Sequence, residues 1–131
     1  TGELARRVDR AAPGVGGPKG LKPRVFQALR IAVNDEMGEL ARVLEALPEP
    51  LAIGGRVAVI SYHSLEDRQV KRAFDALAGG CECPSGLPVC VCDRQEILRP
   101  SPRKALRPTE EEIAANPRSR SARLRIATRV A

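Results

Sequence analysis

The run Gly54–Phe74, GGRVAVISYHSLEDRQVKRAF, constrains the fold of this chain more than any other stretch. A glycine pair leads into four consecutive apolar residues, Val57-Ala58-Val59-Ile60. A short β-rich apolar run bounded by turn residues predicts a strand over about Arg56–Ser61, buried on both faces as in a parallel sheet. The polar tetrad Ser61-Tyr62-His63-Ser64 then opens a predicted helix over about Leu65–Ala78, with Val70, Ala73, Phe74 and Leu77 facing inward and Gly79-Gly80 ending it. In open α/β sheets ligands bind where strands end and helices begin, so the tetrad marks the place to look for chemistry. The same residues also suit an ordinary βα loop, because Ser64-Leu65-Glu66-Asp67 has the spacing of a capping box closed by Ser64.

Upstream, Phe26, Leu29, Val33, Met37, Leu40, Leu44 and Leu47 recur at steps of three and four. That spacing predicts one amphipathic helix from about Pro23 to Leu47, covering one face of the sheet. Pro23 suits its start, Pro48 and Pro50 end it, and Gly38 weakens it by ~1 kcal/mol relative to alanine. Its stripe is assigned to the core. Downstream, Thr109 and Glu112 frame a short helix that Asn116-Pro117 stops. From Ser121 to Val130 the pattern alternates, with Leu124, Ile126, Thr128 and Val130 on one side and Arg123, Arg125 and Arg129 on the other. This predicts a half-buried strand with an arginine face, paired with an antiparallel partner at about Arg94–Leu98.

Charge is unevenly placed. Residues 1–93 hold 12 basic and 12 acidic side chains, whereas residues 94–131 hold 10 basic and 4 acidic, so the tail carries the whole net charge of +6. Nine of those ten basic residues are arginines, whose guanidinium fork matches phosphate and whose binding releases counterions. A basic stretch of this kind fits either an RNA partner or a solvated face. At 131 residues the chain can bury a modest core, with aromatics at only 2%. Its apolar runs are far shorter than a membrane span, which favours a cytosolic protein with no membrane partner.

Cys81, Cys83, Cys90 and Cys92 form two C-x-C pairs separated by six residues, with Pro84, Gly86 and Pro88 bending the loop between them. Four thiolates so placed could surround a tetrahedral zinc, which would be structural because no coordination position stays open. A turn with small half-buried thiols is the equal alternative. Disulfides are disfavoured in a cytosolic protein.

The segment SYHSLEDRQVKRAF resembles a signature of the bacterial 16S ribosomal RNA (cytosine-N4)-methyltransferases, which modify the exocyclic amine of a cytosine in the small subunit. Two further segments are similar to that family in the expected order: FQALRIAVNDE over Phe26–Glu36, then Glu111-Glu112-Ile113 with NPRSRSARLR over Asn116–Arg125. The resemblance spans Arg24 to Val130. It implies an α/β fold, the C-terminal part of a Rossmann-like class I methyltransferase sheet with a late antiparallel hairpin. It also implies S-adenosylmethionine as cofactor, and small-subunit ribosomal RNA or the small ribosomal subunit as partner. A site for that cofactor needs a strand, a glycine-rich turn and an acidic residue ending the next strand. Gly14–Gly20 is glycine-rich but follows a helical stretch and reads as a linker, so the cofactor half is missing and the chain alone is expected to be inactive.

The expected organisation is the end of a helical inserted segment and linker over 1–22, then the methyltransferase part over 23–131. The latter contains a cysteine loop at 79–93 and a basic tail at 94–131. His63, the only histidine, is the candidate to accept the proton leaving the amine or to hydrogen-bond the base; a loop histidine bonded to backbone is the other reading. Arg68, Lys71, Arg118, Arg120, Arg123 and Arg125 are candidates for RNA contacts, with Asn116 and Ser119 shaping their turn. The rival account is a small non-catalytic RNA-binding module with a zinc-stabilised loop.

Overall fold

Residues 2–13, 20–79, 83 and 95–131 are described by a computed structural model of the chain, and they form two units, 1–39 and 40–131. In the first unit, α1 (Gly2–Ala11) packs against α2 (Leu21–Asn34), and Lys22 Nζ lies 3.0 Å from Asp9 Oδ2.

The single helix expected from Pro23 to Leu47 is two. Asp35 adopts the left-handed conformation at φ 50°, its N–H closes α2 on the Ile31 carbonyl, and its own carbonyl starts α3 (Glu36–Ala46) by accepting from Glu39 N at 2.9 Å. Aspartate is one of the few residues that visits this conformation readily. A Cβ added at Gly38 would lie 2.3 Å from Asp35 Oδ2, so glycine makes room for the Asp35 side chain. The break divides the apolar stripe. Leu40, Leu44 and Leu47 join the core of the second unit, whereas Leu29 and Val33 are 44% and 81% exposed.

That core is Leu44, Val70, Phe74, Leu98 and Ala127, bordered by Val57, Val59, Ala73, Leu77 and Ile97. Strand β1 (Arg56–Ser61) and helix α4 (Ser64–Leu77) stand within a residue of their predicted bounds, with Gly79 at φ 71° after the helix. Strand β2 (Leu98–Pro100) and strand β3 (Arg123–Arg129) complete a three-stranded sheet in the order β1-β3-β2. The partner of β3 thus begins where the expected Arg94–Leu98 segment ends. Both β1 and β2 run antiparallel to β3, so they run parallel to each other with β3 inserted between them, and α4 makes the connection.

Two expectations about faces are corrected. First, β1 is buried on one face, not two: Val57, Val59 and Ser61 turn toward the core, while Ile60 on the other face is 57% exposed. It is an edge strand among the described residues, covered by α4 on one side only. Second, the sides of β3 are inverted. Register places Arg125 opposite Val59 and Arg123 opposite Ser61, and the fully buried Ala127 opposite Val57, so the arginines share the core face. Leu124 and Ile126 pair with Ile60 and Ala58 on the open face. Charge can enter this side because acceptors meet it there, as the site shows.

Candidate nucleic-acid interface

The β1–α4 junction is held by a reciprocal cap. His63, not Ser64, is the N-cap: its Nδ1 accepts from Glu66 N at 3.3 Å, and Glu66 Oε2 accepts from His63 N at 3.3 Å and Tyr62 N at 2.9 Å. The spacing from Ser64 predicts the commoner hydroxyl cap, but an unprotonated imidazole nitrogen is also an acceptor. For Nδ1 to accept, the neutral ring carries its proton on Nε2. That atom sits 3.0 Å from Glu66 Oε1, yet finds no aligned hydrogen-bond partner among the described residues. The histidine bonded to backbone is therefore the arrangement present, with Nδ1 committed to the helix.

The LEDR segment has a structural task of its own. Asp67, 5% exposed in the first turn of α4, accepts from Arg123 Nη1 at 2.8 Å and from Arg125 Nε at 2.7 Å. The Arg125 guanidinium holds the Asp67 carboxyl below the usual carboxylate range; burial opposes this, and Arg123 reinforces it by its own bond and charge. The third arginine of the face, Arg129, donates to the carbonyls of Pro48 and Leu51 in the turn after α3. The arginine face of β3 is thus largely committed to the fold. Arg125 retains 12% exposure, whereas Arg123 retains 40% and also faces solvent.

The chain after β2 builds the opposite wall. Ser101 N donates to Ile126 O at 3.0 Å, and Leu106 exchanges two bonds with Leu124, so both ends of residues 101–106 are tied to β3 two positions apart. The intervening residues must loop outward, carrying Arg103 and Lys104. One groove of about 440 Å3 is lined by Asp67, Lys71, Arg103, Lys104, Arg107, Arg123 and Arg125. A neighbouring groove of about 180 Å3 runs along Tyr62, His63, Ser64, Arg107, Arg120, Ser121 and Arg123. Arg107 and Arg123 line both, so the two grooves adjoin at these side chains; together they are called the basic channel beside the β1–α4 junction.

The turn before β3 places Arg120. Helix α5 (Glu110–Ala115) starts at Thr109, whose Oγ1 accepts from Glu112 N at 3.2 Å. A 3-10 turn over Pro117–Ser121 follows, capped by Asn116 Oδ1 accepting from Arg118 N at 3.3 Å. Ser119 is buried, and its hydroxyl donates to Asn116 O at 2.8 Å. Asn116 and Ser119 shape the turn, as expected; Arg118 and Arg120 project from it, exposed.

Of the sequence candidates, the channel brings together His63, Lys71, Arg120, Arg123 and Arg125. Arg68 and Arg118 are exposed but do not line it. Sequence reasoning missed Arg103, Lys104 and Arg107 as individual residues, with the charge excess of the tail their only signal; Tyr62 figures there only as part of the Ser61–Ser64 tetrad. Cys83 is half-buried, while Cys81, Cys90 and Cys92 lie outside the described residues, as does most of the Gly14–Gly20 linker. No helix among the described residues is long and apolar enough to cross a membrane.

Residues 1–130 match the model of the MraW methylase family. A protein of Anaeromyxobacter sp. (strain K), called ribosomal RNA small subunit methyltransferase H, is 54% identical over 127 residues, which are 95% of this chain and 41% of that protein. Proteins of the same name from Rubrobacter xylanophilus and Dehalococcoides mccartyi (strain BAV1) are 53% and 51% identical, over 96% and 99% of this chain and 40% and 37% of theirs. The chain spans about two-fifths of the length of these relatives.

Proposed function

The chain belongs to the MraW methylase family, and on that premise we propose that it supplies the RNA-facing part of an S-adenosylmethionine-dependent enzyme methylating the N4 amine of a cytosine in small-subunit ribosomal RNA. The observation that carries this reading is the pair of adjoining basic grooves, lined by Lys71, Arg103, Lys104, Arg107, Arg120, Arg123 and Arg125 with Asp67 as their one carboxylate, already neutralised by Arg123 and Arg125. Cations concentrated along a groove bind a phosphate backbone and release its counterions. A cytosine in structured RNA must be exposed to react, so the channel would hold the strand on either side of it.

Within that reading each residue has a task. Arg103, Lys104, Arg107 and Arg120 bind phosphate, with Lys71 and the exposed donors of Arg123 beside them. Arg68 and Arg118 extend the basic surface. Arg125 and Asp67 fix β3 on α4 and so set the width of the channel. His63 keeps the Ser61–Ser64 turn in place through its cap, with its Nε2 buried beside Glu66.

The described residues do not fit S-adenosylmethionine. The β1–α4 junction carries Ser61, Tyr62 and His63 where a glycine-rich turn is needed, and the buried carboxylate Asp67 is occupied by arginines. We place the cofactor site in the portion of the relatives that this chain does not match. The three strands would then be the end of a larger class I sheet continued beyond β1, and residues 1–22 an inserted helical segment. A cytoplasmic location accords with this substrate.

Joining the chain to the unmatched portion of the Anaeromyxobacter relative tests the proposal. The expected result is methyl transfer to small-subunit ribosomal RNA. A folded chimera that binds S-adenosylmethionine but leaves that RNA unmodified would contradict it.

A further inference from the structure

We infer that Tyr62 is a stacking platform for a nucleobase of single-stranded RNA held in the channel, an inference that rests on the RNA reading above. The chain has three aromatic residues and no tryptophan. Phe74 is 3% exposed in the core, and Phe26, half-buried on α2, is not among the residues that line either groove. Tyr62 is 55% exposed and lines the 180 Å3 groove with His63, Ser64, Arg107, Arg120, Ser121 and Arg123. An exposed aromatic ring in the midst of phosphate-binding side chains is the combination used by single-strand binders, where the cations track the backbone and the ring takes a base face.

The backbone supports this role. Tyr62 N donates to Glu66 Oε2 at 2.9 Å, and the next residue is the N-cap of α4, so the main chain carrying the ring is fixed before RNA arrives. A ring set on a rigid turn loses little freedom on stacking. Around it, Ser64, Arg107, Arg120 and Ser121 offer donors for the edge of the base or for the flanking phosphates.

Because the chain holds one tyrosine and no tryptophan, its near-ultraviolet emission reports Tyr62 alone. The full chain is titrated with a short cytidine-rich RNA single strand and with an abasic strand of equal length and charge. Emission is read with inner-filter correction, and binding is followed separately by anisotropy of end-labelled strands. The expected result is quenching by the base-bearing strand and none by the abasic one. Tyr62→Ala should weaken the base-bearing strand roughly tenfold, leave the abasic strand unchanged, and be rescued by Tyr62→Phe. RNA binding with unchanged emission and unchanged Tyr62→Ala affinity would overturn the stacking role and leave the RNA channel standing. No binding of either strand would overturn both.

Discussion

Asp67 on α4 and Arg125 on β3 lie 58 residues apart in sequence and meet at 2.7 Å, with Arg123 completing the cluster at 2.8 Å. This pairing explains why a strand can turn charged side chains to its core face. Two guanidinium groups share one carboxylate, and the ion cluster roofs the apolar cluster of Val70, Phe74 and Ala127. It also forms the floor of the basic channel.

Asp67→Asn should destabilise the fold by about 1.5–3 kcal/mol at neutral pH, because the largely buried Arg125 loses its charged acceptor. The carboxyl titrates below its ordinary range in the folded state, so its contribution is present above the ordinary carboxylate pKa of ~3.9 and is lost as pH falls through the lower folded value. The gap between the two proteins, measured by urea unfolding across a pH series, should therefore close in acid. A gap independent of pH would refute the pairing.

His63→Ala should cost about 1 kcal/mol through loss of the α4 cap, whereas His63→Asn, which keeps a side-chain acceptor, should recover most of it. Thermal unfolding of the three proteins decides the matter. Equal losses for both variants would show that the Nδ1 bond is not what His63 contributes.

Gly55 has no room for a side chain. A Cβ there would sit 2.7 Å from the Ala52 carbonyl oxygen, while its N–H binds that same carbonyl and its own carbonyl accepts from Arg129 N at 2.8 Å. Gly55→Ala should lower stability by about 1–3 kcal/mol through the clash of its Cβ with the Ala52 carbonyl oxygen. Gly54→Ala, at φ 83° in open space, should cost about 1 kcal/mol. Denaturant midpoints that reversed this order would count against the turn as described.

The isolated chain should not bind S-adenosylmethionine. Calorimetric titration should give only heats of dilution, and micromolar binding would mean that these residues hold a cofactor site unlike the glycine-rich one.

How far the sequence could be read depended on whether each feature was local. The Val57–Ile60 run, the inward positions of α4 and the Thr109 cap are set by neighbours in the chain, and all three stand where the pattern puts them. The break at Asp35 was hidden because the step-of-three-and-four pattern runs straight through it; only the Asp35–Gly38 relationship betrays it. The faces of β3 were hidden for a deeper reason. Alternation separates two sides without saying which is inside, and hydropathy votes for the aliphatic one. What reverses the vote is Asp67, together with the Pro48 and Leu51 carbonyls, all far away in sequence. The same long-range placement hid the channel: Arg103, Lys104 and Arg107 share a groove with Lys71, and Arg107 another with Tyr62, only because the 101–106 loop is tied to β3 at both ends.

The most direct measurement is the salt dependence of RNA affinity for the chain and for its Arg107→Ala/Arg120→Ala variant. Both residues line the channel and neither holds the core. The account predicts that the logarithm of the binding constant falls linearly with the logarithm of salt concentration. It further predicts weaker binding by the variant at low salt and a slope shallower by about 1.4, the loss of two phosphate contacts to a single strand. Unchanged affinity and slope in the variant would contradict the assignment of this channel to RNA.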